Sequence, residues 1–187
     1  GAYDLYTRNR YTEYIKKNAV NYLYCKDSDM NLLQFFPETE FITTGEEIEN
    51  IDGLYCLKKL KGLEIAAKNL KKLDLSRFPR LEYLAVTDYS KKDNALRQRR
   101  AIKHLFLIHS DIADLNGIAE IGGAESLWLE YCYNLKSLDG ICAFTKLNKL
   151  TIDYCLKLED ISDLEKSASR LKYLRIADCN KIDNLSG

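Results

Sequence analysis

The 187-residue sequence has no net charge, its 28 basic and 28 acidic residues cancelling. That balance removes any general attraction to nucleic acid or to an anionic membrane surface. No apolar run approaches the ~18 residues of a membrane-spanning helix, and the opening residues GAYDLYTRNRY lack the apolar segment of a signal peptide. A glycine-rich phosphate loop, a Cys-x-x-Cys pair and a His-Glu-x-x-His motif are all missing. Histidine is nearly so: only His104 and His109 occur. Five residues apart on one strand, they stand roughly 16 Å from each other at ~3.3 Å per residue, too far to share a metal or act as one catalytic pair. These absences predict a chain that is not an enzyme and carries no cofactor and no metal.

What is present is repetition. Residues 124–155 read A-x-x-L-x-L-x-x-C-x-x-L-x-x-L and then L-x-x-L-x-I-x-x-C-x-x-L-x-x-I. In the second copy Leu147, Leu150 and Ile152 point to one side while Lys149, Thr151 and Asp153 alternate to the other, the period of a half-buried strand. Leu158 and Ile161 then return to the core, and Cys155 marks the turn, a place that suits a small buriable side chain. The pattern resembles the leucine-rich repeat, L-x-x-L-x-L-x-x-N/C-x-L. The resemblance implies an α/β fold, a right-handed leucine-rich-repeat solenoid or horseshoe with a parallel β-sheet on its concave face and short 3₁₀ or helical turns on its convex face.

Clear units begin at Leu60, Leu81, Ile102, Ala124, Leu147 and Leu171, spaced by 21, 21, 22, 23 and 24 residues. Upstream, a unit starts near Val20 and a degenerate one near Glu38, with Phe41 to Thr43 as its strand, which makes about eight repeats over residues 20–187. Residues 1–19, with Tyr11, Tyr14 and Ile15 on one helical face, are expected to form an N-terminal cap over the open core. The return phrases IENIDGL, IADLNGI, LKSLDGI and LEDISDL are too short and polar for full helices, so 3₁₀ turns are expected. These phrases resemble the internalin type of bacterial leucine-rich repeat.

Cys132, Cys155 and Cys179 occupy the same slot in successive repeats, a ladder of core thiols expected to stay reduced in a cytoplasmic protein. One return segment, 89–101, departs from the pattern with Lys91, Lys92, Arg97, Arg99 and Arg100, and is read as a solvated convex loop rather than a site for an acidic partner. The last unit, with Leu171, Leu174, Ile176, Ile182 and Leu185, ends without a polar cap, so the expectation is either a native chain that continues past Gly187 or end-to-end self-association through the open end.

The outward strand positions should stack into columns. One reads Tyr24, Ile42, Glu64, Ala85, Phe106, Trp128, Thr151, Arg175; its neighbours carry Ile108, Glu130 and Asp153, then Asp88, His109, Tyr131, Tyr154 and Asp178, and a fourth carries Tyr83, His104 and Tyr173. Solvent-facing Phe106, Ile108 and Trp128, with an acidic rim at Asp88, Glu130, Asp153 and Asp178, point to a contact site, since large exposed apolar patches on monomers usually mark one. The expected function is non-enzymatic recognition of a protein or peptide through Tyr83, Asp88, His104, Phe106, Ile108, His109, Trp128, Glu130, Tyr131, Asp153, Tyr154 and Tyr173, with neither nucleic acid nor membrane as partner. The alternatives are a bacterial toxin-neutralising or effector-like repeat protein and a structural module joined through its end.

Overall fold

The computed structural model describes residues 22–26, 28–90, 92, 96, 102–167 and 169–182. The expected N-terminal cap, Leu185 and all of the segment 89–101 except Tyr89, Ser90, Lys92 and Leu96 lie outside them. Within them the chain runs β1 (Tyr22–Cys25), β2 (Phe41–Thr44), β3 (Gly62–Ala66), β4 (Tyr83–Thr87), β5 (His104–Ile108), β6 (Ser126–Glu130), β7 (Lys149–Asp153) and β8 (Tyr173–Ala177). These eight strands form one sheet in chain order with every neighbouring pair parallel. One strand per repeat, each linked to the next by a return segment behind the sheet, is the solenoid architecture.

Period-two alternation decides which side chains are inside. Leu63, Leu84, Leu105, Leu127 and Leu150 align across β3 to β7 as one buried column, and Ile65, Val86, Leu107, Leu129 and Ile152 as a second. From the return side Leu115, Ile118, Leu138, Ile141 and Leu158 fill the same core. The degenerate second unit is shifted by one residue from the expected register. Tyr24 pairs with Thr43, and Thr43 with Glu64, so Thr43 rather than Ile42 joins the outward column. Ile42 lies between Leu23 and Leu63 and is buried. The reason is the burial alternation itself: putting Ile42 outward would expose its apolar surface to water and move the hydroxyl of Thr43 into the core.

Among the described residues the return segments carry 3₁₀ turns, as at Met30–Phe35, Asp52–Cys56, Asn116–Ile121 and Ile141–Ala143, with one α-helical turn at Ala67–Leu70. Their starts repeat one device. The polar residue third in each return phrase accepts a hydrogen bond from the backbone N–H two residues on: Asn50 from Asp52 at 3.1 Å, Asp114 from Asn116 at 2.9 Å, Ser137 from Asp139 at 3.4 Å and Asp160 from Ser162 at 2.9 Å. Stacking the turns brings backbones close. A Cβ on Gly53 would stand 1.7 Å from the Met30 carbonyl oxygen, so only glycine fits there.

Among the described residues five non-glycine residues in equivalent positions at the strand ends, Asp88, His109, Tyr131, Tyr154 and Asp178, have left-handed backbones with φ of 51° to 56°. This conformation costs about 1–2 kcal/mol per residue. The sheet compensates, because the N–H groups of Asp88, His109, Tyr131 and Tyr154 donate to Ile108, Glu130, Asp153 and Ala177 of the next strand at 2.9 to 3.1 Å, extending the ladder by one rung. The turn also sends the following side chain inward, where Tyr89, Ser110, Cys132 and Cys155 are buried.

None of the six cysteines is in a disulfide. Cys132 Sγ lies 3.7 Å from the Glu130 carbonyl oxygen and Cys155 Sγ 3.6 Å from that of Asp153, while Cys179, just past β8, is only half-buried. Contact with the neighbouring thiol, and then burial, push the Cys155 thiol upward, away from the reactive thiolate. A thiol reagent should therefore modify the exposed Cys56 and Cys142 first in native protein and reach Cys132 and Cys155 only in denaturant, as read by mass spectrometry; early labelling of Cys155 would contradict the packing. Leu129→Ala, which empties a fully buried site, should lower unfolding free energy by about 2–5 kcal/mol in a denaturant titration.

Candidate functional site

The outward face of the sheet gathers aromatic rings into three rows. The first follows the strand starts. Gly62 leaves space that the Phe41 ring fills, since a Cβ there would stand 2.2 Å from Phe41 Cδ1. Phe41 lies 5.6 Å from Tyr83, centroid to centroid, and Tyr83 stacks on His104 at 4.2 Å with ring planes 18° apart. Ser126 and Lys149 follow His104 in this column, so Tyr173 stands apart from the row, exposed, with Lys149 Nζ 5.0 Å from its ring centroid.

The second row is the pair Phe106 and Trp128, which face each other across β5 and β6 with centroids 5.8 Å apart and planes tilted by 39°. Both are half-buried. The third row stands on the left-handed residues. His109 stacks on Tyr131 at 4.8 Å and Tyr131 on Tyr154 at 4.9 Å, close to one strand spacing, and Tyr133 closes on the first two at 6.0 Å. Asp88 and Asp178 share the same backbone geometry, and both are exposed.

Three expected contact residues are corrected by burial. Ile108 is 5% exposed, Glu130 1% and Asp153 2%, so none is solvent-facing and the two carboxylates are not a rim. Their column runs between the Phe106–Trp128 pair and the His109–Tyr131–Tyr154 stack, whose bulk on either side leaves little room for water. Asp153 is held by Arg175, whose Nε lies 3.1 Å from Oδ1 and donates to Oδ2 at 3.4 Å. Reversing either carboxylate would therefore disturb folding before it changed any surface charge.

At the β1–β4 end lies a hollow of about 450 Å³, lined by Tyr22, Tyr24, Thr43, Glu46, Glu64 and Asp88 among others. The Tyr22 hydroxyl donates to Thr43 Oγ1 at 3.0 Å, and Thr43 donates to Glu64 Oε2 at 3.3 Å. Sequence reasoning passed over this group because the one-residue shift in β2 hides Thr43 from the outward column. Among the described residues no group of three His, Cys, Asp or Glu side chains is placed to hold a metal ion, and no helix is long and apolar enough to cross a membrane.

What fixes the architecture is one parallel strand in each repeat, with a 3₁₀ turn behind most of them and buried leucines at the repeat positions. This is a leucine-rich-repeat solenoid. No protein-family model and no curated protein matches the chain. Among solved structures it is similar to internalin C2 from Listeria monocytogenes strain 4b F2365, at 13% identity and a TM-score of 0.46 over 78% of this chain and 74% of that one.

Burial holds the His104 imidazole below its ordinary value. The unfolded chain then takes up this proton at a higher pH than the native protein, so the stability present above pH ~6.5 is lost as pH falls from there through the lowered native value. His104→Phe keeps a ring on Tyr83 and removes the proton. Its unfolding free energy should fall less than that of the parent between about pH 6.5 and 5.5; equal slopes in denaturant titrations would refute the assignment.

Proposed function

We propose that this solenoid is a non-enzymatic binding protein that holds a protein or peptide against the outward face of its sheet, with Phe106 and Trp128 as anchors. The observation that carries the reading is the contiguity of the aromatic surface. The half-buried Phe106–Trp128 pair lies between the Tyr83–His104 stack and the His109–Tyr131–Tyr154 stack on adjoining strands. Aromatic residues of this kind dominate the energetic centres of protein interfaces because they bury large area at small entropic cost. Partner-binding roles are assigned to Tyr83, Asp88, His104, Phe106, His109, Trp128, Tyr131 and Tyr154, with Ile108, Glu130 and Asp153 as the buried layer that supports them and Tyr173 at the periphery.

The competing account is that the rings serve only to stabilise the sheet, where cross-strand pairs contribute about 0.2–1 kcal/mol each. Affinity capture from the source cell, followed by binding and melting measurements on the same variants, separates the two. Trp128→Ala and Phe106→Ala should each weaken binding of a stoichiometric partner by about 2 kcal/mol or more, with much smaller losses of stability than Leu129→Ala. Unchanged affinity together with a loss of stability equal to that of Leu129→Ala would assign the rings to folding alone.

A further inference from the structure

We propose that the outward face takes a proline-rich segment of its partner, uncharged and in the polyproline II conformation, laid across the strands along the His109–Tyr131–Tyr154 row. The inference rests on the strand side being the binding face, but not on Phe106 and Trp128 as its anchors. Size narrows the occupant first. Four strands wide at ~4.8 Å and six residues long at ~3.3 Å, the aromatic surface covers roughly 300 Å², well below the ~800 Å² that each folded partner buries in a stable complex. A single peptide segment matches that extent better than a folded domain or a second copy of the chain.

Spacing then selects its conformation. The centroids of His109, Tyr131 and Tyr154 step by 4.8 and 4.9 Å, about 9.7 Å in two steps. A polyproline II helix returns a residue to the same face every three residues at ~3.1 Å each, or ~9.3 Å, a mismatch of about 0.4 Å. Two α-helical turns advance ~10.8 Å, and same-face residues of an extended strand recur at ~6.7 and ~13.4 Å, so both drift out of step sooner. The chemistry agrees. Polyproline II has no internal hydrogen bonds, so its carbonyls can accept from the phenols of Tyr133 and Tyr154, which are 45% and 38% exposed. Leu156, 43% exposed, holds the place of Tyr133 in the next repeat and lengthens the apolar rim. Along the sides of the row charges are met within the chain, Arg175 by Asp153 at 3.1 Å, and Asp111 and Lys157 through Asn134 at 2.8 and 2.6 Å. Asp88 and Asp178 stand at its two ends. The length between them therefore suits a segment that brings no charge.

The test is an NMR titration of the whole chain that follows the backbone amides of His109, Tyr131, Tyr133 and Tyr154. The probes are blocked nonaproline, a blocked alanine–leucine helical peptide and a blocked valine–threonine peptide, all uncharged and of equal length. Nonaproline should shift these amides saturably, bind more tightly than the other two and depend little on salt. Tyr131→Asn removes the central ring and puts in a residue that the left-handed backbone accepts. It should weaken nonaproline about tenfold or more, as loss of an anchoring ring does. Tyr133→Ala, at an exposed position, should weaken it likewise and carries the test if Tyr131→Asn does not fold. Tighter binding of the helical or strand-forming peptide, absence of a saturable shift, or an unaltered response in the ring-removing variant would overturn the proposal. Loss of captured-partner affinity in Trp128→Ala, with no binding of nonaproline to the parent, would refute this proposal and leave the aromatic-anchor reading standing, so the two failures are distinguishable.

Discussion

The structure depends on the parallel backbone ladder, carried one rung past each strand of β4 to β7 by a residue in the left-handed conformation. The ladder sets adjacent repeats at one strand spacing and so stacks Leu on Leu through the core. A single repeat cannot close over its own leucines, and each buries them only against its neighbours. The consequence is visible at Leu150, which has a strand on either side and is fully buried.

The same constraint shapes the outward face. Because the ladder fixes register, side chains at equivalent positions meet whether or not they attract one another, and the sequence chooses what stands there. Where it places rings they stack, as His109, Tyr131 and Tyr154 do at 4.8 and 4.9 Å. Where it places a small residue the neighbour spreads, as Phe41 does over Gly62. Cross-repeat ion pairs recur at the same spacing, Lys61 with Glu40 at 2.9 Å, half-buried, and Lys103 with Glu82 at 2.7 Å, which is exposed enough to contribute little.

Most of the fold was legible from residues. The spacing of Leu60, Leu81, Ile102, Ala124, Leu147 and Leu171 located six strands, each beginning two residues later, and the polar return phrases located the 3₁₀ turns. The second repeat was misregistered because its strand reads FITT, in which neither an apolar alternation nor a Cys turn pins the phase. The site was less legible. Alternation assigned Glu130, Asp153 and Ile108 to the outward face correctly, but facing outward is not exposure, and the shelter between two aromatic rows depends on side-chain bulk that period-two reasoning does not carry. The column of Asp88, His109, Tyr131, Tyr154 and Asp178 was legible, but its left-handed backbone and the contact of Tyr133 with it were hidden, because positive φ at His, Tyr and Asp has no local signature of the kind glycine supplies.

A repeat protein of this form offers two surfaces, and the account holds that recognition uses the strand side. Hydroxyl-radical footprinting of the free and partner-bound protein tests that most directly, because aromatic side chains are modified in proportion to their exposure on either side. The account predicts protection of Trp128, Phe106 and Tyr131 on binding, with Phe35 and Phe36 on the return side modified as in the free protein. Protection of Phe35 and Phe36 with Trp128 unchanged would contradict it.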